Sequence, residues 1–167
     1  TGVTDIGTGT KTVLRQIAAE VLGIDVERVR VAALDSDTAP YDTGSIASRT
    51  TYDSGNAVRL AAEHVRGQLE RVAASILGCT VEEIAIEDGW AAQRNRPESR
   101  LAFADLVAIA LYVTGGPLLG SGSWLAAGPF SQPVGDGYAQ GPVGTFLFGT
   151  HVAEVEVDVE TGKTRVL

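Results

Sequence analysis

At 167 residues, 44% apolar and 20% charged, the chain has the length and make-up of one ordinary soluble domain, enough to bury a real core. A net charge of −8, with Arg28, Arg30, Arg59, Arg66, Arg71 and Arg94 scattered among acids, excludes a nucleic-acid partner, because phosphate backbones are bound through clustered cations.

The single cysteine, Cys79, excludes an internal disulfide and fits a reducing compartment. Cytoplasm is the expected location, with the periplasm as the alternative for a longer parent. Nothing has the form of a signal peptide, and no apolar run reaches the roughly 18 residues that a membrane helix needs. The chain has no methionine, so it is expected to be a piece of a longer protein.

Residues 4–12 read TDIGTGTKT, a glycine turn directly before a helical pattern. Val13, Leu14, Ile17, Ala18, Val21 and Leu22 recur at three- and four-residue spacing and give that helix one apolar face. Gly23 is placed to end it. Residues 27–34 then read as a strand, with Val29 and Val31 inward and Arg28 and Arg30 outward.

Residues 38–56, TAPYDTGSIASRTTYDSGN, form the stretch around which the chain is organised. A loop rich in hydroxyls and glycine that opens a helix suits a phosphate, since free N–H groups, the positive helix end and short O–H donors act together. A solvated loop with an N-cap serine or threonine is the other reading. Two such loops, separated by one helix–strand unit, could bring two helix N-termini onto one anion.

A long helix is predicted from about Thr51, with Val58, Ala61, Ala62, Val65, Leu69, Val72, Ala73 and Ile76 as its buried stripe and Gly78 as its end. His64 reads as a helix-surface residue and Cys79 as a small core residue. A hairpin follows, residues 84–86 against 90–93 around Asp88-Gly89, and Ser99 is a candidate N-cap for a third helix through Phe103, Leu106, Val107, Ile109 and Ala110. The aromatic residues here are taken as core. Residues 115–144, dominated by glycine and proline, are too long for a tight connection and too apolar for a linker; Trp124, Phe130 and Tyr138 suggest packing against a neighbour. The last element is a strand over residues 152–159, with valines alternating against Glu154, Glu156 and Asp158, then a turn at 160–163 and a return strand. The acid row reads as its wet face. His151 has no evident partner.

No nucleophilic triad, HExxH, CxxC or P-loop lysine motif is present. From the residues alone the chain is an acidic mixed α/β (α+β) module, helices packed on a sheet of short strands, with an anion-cradling region.

Taken together, TDIGTGTKTVLRQIAAEVLGIDVERVRV, DSDTAPYDTGSIASRTTYDSGNAVRLAA and HVAEVEVDVETGKTRVL resemble the molybdenum-binding subunit of the xanthine dehydrogenase and aldehyde oxidase family. The similarity covers almost the whole chain in the same order, and implies that residues 1–167 are a single partial domain, a portion of the second molybdopterin-binding region. It further implies an oxidoreductase that hydroxylates aldehydes or N-heterocycles with oxygen from water, using molybdopterin with or without an attached nucleotide. Iron–sulfur clusters and FAD would sit on partner domains or subunits, and the rest of the molybdenum subunit would be the immediate partner. Gly7, Thr8 and Gly9 fall on the family's glycine–glutamine–glycine turn, with Thr8 in place of the glutamine. Ala47, Ser48, Thr50 and Thr51 fall on the segment that grips the pterin and its phosphate, and Arg49 stands between, as a salt bridge, a surface residue or a cofactor contact. The family's catalytic glutamate belongs to a later segment, so no catalytic residue and no metal ligand is assigned, and Glu154, Glu156 and Glu160 are not promoted to that role. The isolated chain is expected to fold without binding cofactor tightly or turning over substrate. A noncatalytic assembly module and an unrelated nucleotide- or phosphate-binding domain are the competing readings.

Overall fold

The computed structural model describes residues 1–32, 35–46, 48–124, 133–134, 138–139 and 149–167. They fall into two compact units, Thr1–Ala127 and Gly128–Leu167.

In the first unit, helix α1 (Thr10–Leu22) buries Leu14 and Ala19 and ends at Gly23, whose left-handed φ of 66° lets the next N–H groups turn back. Gly23 N–H donates to the Glu20 carbonyl at 3.3 Å and Ile24 N–H to Ala19 at 3.1 Å, the paired bonds of a Schellman cap. Of the strand anticipated over residues 27–34, the described residues 27–32 form none, and 33–34 lie outside the described residues. Val26–Arg28 is a 3-10 turn, capped by Asp25, which accepts from Glu27 N–H at 3.0 Å. Beyond it, residues 29–32 join no sheet among the described residues. Arg15 explains this locally: its guanidinium takes the Val29 and Val26 carbonyls at 2.8 and 2.9 Å, so a side chain satisfies acceptors that a ladder would otherwise use.

Helix α2 (Gly55–Leu77) is preceded by a π-helical turn, Thr50–Ser54. Its buried face is Ala62, Leu69, Val72, Ala73 and Ala74, ending at Gly78 in the same left-handed cap. Ile76, counted with the stripe, is instead 41% exposed, because the covering elements meet this turn at Val72, Ala73 and Ala74. Helices α1 and α2 pack against each other. Gly55 lies under Ile17, where a Cβ would stand 2.9 Å from Ile17 Cδ1, and four residues on in α1 the Val21 carbonyl accepts from Arg66 at 2.7 Å.

Strands β1 (Ile84–Glu87), β2 (Trp90–Gln93) and β3 (Arg96–Ala102) form an antiparallel sheet in that order. The Asp88-Gly89 hairpin turn is as anticipated, with φ of 49° and 77°. Strand β3 was not. Ser99 lies within it and caps nothing; α3 (Phe103–Val113) begins four residues later with Ala102 at its N-cap. A second tight turn at Arg94-Asn95 folds the polar run 96–102 back along β2, and Pro97 is tolerated there because β3 is an edge.

Ile84, Ile86 and Ala91 meet Leu69, Val72, Ala73, Leu106 and Ala110 in one apolar cluster, with Cys79 and Phe103 packed against it. Trp90 is not core. It is 39% exposed, on the opposite face from Ala91, with the Arg100 guanidinium 4.2 Å from its ring centre. Helix α3 is apolar almost all round, yet only Leu106 and Ala110 are buried; Val107, Ile109, Leu111, Tyr112 and Val113 are exposed.

In the second unit, the short strands β4 (Pro133–Val134) and β5 (Tyr138–Ala139) pair antiparallel. So do β6 (Val155–Val157) and β7 (Thr164–Val166), where Arg165 meets Glu156 at 2.6 Å. The hairpin anticipated at the end of the sequence is therefore present with shorter strands. Phe130 lies outside the described residues. The whole is α+β: helices with small antiparallel sheets.

Candidate functional site

The first glycine- and hydroxyl-rich loop leads into α1 and the second into the π turn and α2. A single bond stitches them: Ser45 Oγ donates to the Thr4 carbonyl at 2.7 Å. The two loops are therefore neighbours at Thr4 and Ser45.

In the first loop, Gly7 and Gly9 adopt φ of 99° and 76°, and a Cβ at either would meet nothing within 4 Å. Gly9 is the N-cap of α1, and Thr8 is exposed, its Oγ1 3.1 Å from that of buried Thr10. What the sequence reading missed is Asp5. Its carboxylate accepts from Gly7 N–H at 3.0 Å and from Lys11 N–H at 3.2 Å, so this helix end already holds an anion of its own. The signal was available, an aspartate two residues before the first glycine, where Asx turns form.

Those N–H donors, Lys11 first and then Gly7, hold the Asp5 carboxyl below its ordinary value of 3.8. A group whose folded-state pKa is depressed contributes stability that is present above its unfolded value and lost as pH falls through the folded one. The first turn of α1 is therefore expected to loosen only below about pH 3.8. Carbonyl-detected NMR titration should give Asp5 a midpoint below that of an unstructured aspartate, and an ordinary midpoint would remove the cap.

In the second loop, Asp42 Oδ1 accepts from Gly44 N–H at 2.7 Å and the chain reaches Ser48, a non-glycine residue at φ 58°. Backbone held in this region is concentrated at ligand-binding segments. Ser48 and Thr51 are exposed and Thr50 half-buried; Ala47 lies outside the described residues. Thr50 and Thr51 open the π turn, where the first N–H groups of a helix have no intrahelical acceptor.

Arg49 points the other way. Nε donates to Asp53 Oδ2 at 2.8 Å, and one terminal nitrogen donates to Asp42 Oδ1 at 3.1 Å and the Gly44 carbonyl at 3.0 Å. Burial works against its charge, but the Asp53 and Asp42 carboxylates outweigh that and hold its pKa above the ordinary value. Arg49 is thus a half-buried ion-pair centre, which spacing alone left open. Asp53 Oδ1 and Ser54 Oγ are buried with no partner among the described residues. Their residues line a cleft of about 550 Å³ together with Pro40, Asp42, Arg49 and Trp124. Trp124 is held edge-on to Tyr52, with ring centres 6.3 Å apart. Ahead of it Gly120 and Gly122 lie on the α2 backbone, where a Cβ would fall 2.2 Å from the Ala61 and Ala57 carbonyls.

The donor set suits a phosphate-bearing pterin. The second loop offers outward hydroxyls, a left-handed serine and a helix start whose own side chains cap nothing. Net charge does not supply the attraction: Asp5, Asp42 and Asp53 outnumber Lys11 and Arg49. What the loops offer an anion is directed N–H and O–H groups. Glu156 is in a surface ion pair, and among the described residues no group of His, Cys, Asp or Glu could hold a metal ion and no helix is long and apolar enough to cross a membrane.

A family model described as a molybdopterin cofactor-binding domain matches residues 1–167. The large subunit of nicotine 6-hydroxylase from Paenarthrobacter nicotinovorans is 41% identical over 111 residues, 66% of this chain and 14% of that protein. An Escherichia coli K12 protein named "Probable hypoxanthine oxidase XdhD" is 34% identical over 166 residues, 99% of this chain and 16% of that one. Among solved structures, quinoline 2-oxidoreductase from Pseudomonas putida 86 superposes with a TM-score of 0.67 at 28% identity, covering 98% of this chain and 20% of that one. The chain thus spans at most a fifth of the length of these relatives. Matched along its whole length, it belongs to the molybdopterin cofactor-binding domain family.

Proposed function

We propose that the chain is one wall of the cofactor site of a molybdenum hydroxylase, with Gly7, Thr8, Gly9, Ala47, Ser48, Thr50 and Thr51 facing the pterin and its phosphate. The carrying observation is the Ser45–Thr4 bond, which ties the two loops to each other. Gly7 and Gly9 allow a ligand to approach the backbone closely, and Ser48, Thr50 and Thr51 donate hydroxyl and N–H hydrogen bonds to anionic oxygens. Molybdopterin, once bound, supplies the redox chemistry by which an aldehyde or N-heterocycle gains oxygen from water. Residues 1–167 act as one part of the second molybdopterin-binding region, completed by the rest of the molybdenum subunit. Iron–sulfur and flavin partners in the cytoplasm carry the electrons away.

The test is made on the matured parent protein. Stoichiometric molybdenum and pterin are expected in the parent, and neither metal nor turnover in the isolated chain, because a pterin enclosed by several segments loses most of its contacts when one stands alone. Ser48→Ala together with Thr50→Ala should weaken retention of the cofactor roughly tenfold or more, the effect of losing hydrogen bonds to a charged group. A parent without pterin, or a double variant with undiminished content, would overturn the reading. In that event the chain is an assembly module.

A further inference from the structure

The arginine inside the hydroxyl segment does not face outward with its neighbours. Its side chain is only 21% exposed, and the carboxylates it holds are 15% exposed at Asp42 and 9% at Asp53. Three backbone N–H groups close the same small frame: Gly44 N–H donates to the Asp42 carboxylate at 2.7 Å, Arg49 N–H to the Ile46 carbonyl at 3.0 Å, and Asp53 N–H to the Arg49 carbonyl at 2.7 Å. One planar guanidinium thus ties the start of the loop (Asp42, Gly44) to the π turn (Asp53), and Ser48, at φ 58°, is strung between the two anchors.

A serine in left-handed conformation persists only where its surroundings over-determine it. Here the surroundings are the Arg49 fork. Lysine would keep the charge but, as a point donor on a flexible stem, would not hold Asp53, Asp42 and the Gly44 carbonyl in one plane. We propose that Arg49 is a positioning residue, an inward brace that fixes the backbone of Ser48, Thr50 and Thr51 in the shape that receives the anionic end of the cofactor, without touching the cofactor itself. This rests on the molybdopterin reading above.

The experiment has two arms, both using Arg49→Met, Arg49→Lys and a control, Gly78→Ala, which destabilises the far end of α2. In the first arm, amide hydrogen exchange is followed in the 167-residue chain. Residues 48–53 should exchange about tenfold faster or more in both Arg49 variants and remain as in the wild type in the control. In the second, molybdenum and pterin are counted in the matured parent carrying each change. Content should fall about tenfold in Arg49→Met and by less in Arg49→Lys, while Gly78→Ala retains it. Should Arg49→Met not fold, Arg49→Lys is judged against the control in both arms.

Unchanged exchange at residues 48–53 would overturn the brace. Faster exchange with cofactor content no lower than in the control would overturn its role in positioning. A wild-type parent without pterin would sink the cofactor reading and this role with it, while the exchange arm still reports whether the brace exists.

Discussion

Replacing Leu69 by alanine is expected to lower the unfolding free energy of the first unit by about 2–5 kcal/mol. Leu69 is 1% exposed and sits where three elements meet, with Ile84 and Ile86 of β1 and Leu106 of α3 in the same cluster. Truncation removes the transfer free energy of its methyl groups and leaves a cavity that two helices and a sheet can only partly close. Ile76, seven residues further along the same helix, is the matched control: at 41% exposed, its truncation to alanine should cost markedly less. Urea denaturation followed by far-ultraviolet circular dichroism measures both. Equal losses at the two positions would mean that the cluster does not centre on Leu69.

Gly23→Ala is expected to be comparably severe, for a different reason. Any L-residue at its φ of 66° costs about 1–2 kcal/mol. Beyond that, an added Cβ would stand 2.4 Å from the Ile86 carbonyl oxygen and 2.9 Å from its carbon, main-chain atoms of a buried strand that cannot swing aside. Overpacking of this kind adds about 1–3 kcal/mol. The Gly23 carbonyl also accepts from Gly89 N–H at 2.8 Å, so displacement of the α1 cap pulls on the β1–β2 turn. Gly78 isolates the steric part. Its φ is 67°, yet nothing lies within 4 Å of its would-be Cβ, so Gly78→Ala should show the conformational cost alone. Melting of the two variants side by side decides the matter: a Gly23→Ala loss no larger than that of Gly78→Ala would remove the clash.

These two glycines show what the sequence could and could not disclose. That each ends a helix is legible, since glycine after the last periodic residue is the commonest stop. That one is pressed against a strand and the other faces open space is a fact of tertiary packing, absent from any local pattern. The same divide runs through the site. Gly7, Gly9, Ser48, Thr50 and Thr51 stand out by residue type, because positive φ and short hydroxyls leave a compositional trace. Arg49 and Asp53 do not, because an arginine among threonines looks the same whether it faces water or two inward carboxylates. The misread strand over residues 27–34 and the unforeseen β3 share a cause: alternation was legible, but where the backbone acceptors find their donors was not. Arg15 took them in one case and a turn at Asn95 redirected them in the other.

The π turn at Thr50–Ser54 carries a consequence for the length of its segment. An α-helix turns about 100° per residue, and a π turn accommodates one residue more than the α turn it stands in for. The loop bearing Ser48 and the core face bearing Leu69 are therefore held in a fixed angular phase by the number of residues between them. Removal of one residue there would return the turn to α geometry, while a second extra residue would have no such outlet and would swing the loop by about 100°, away from the Thr4 carbonyl that Ser45 reaches. In this segment the number of residues constrains the loop as strongly as their identity does.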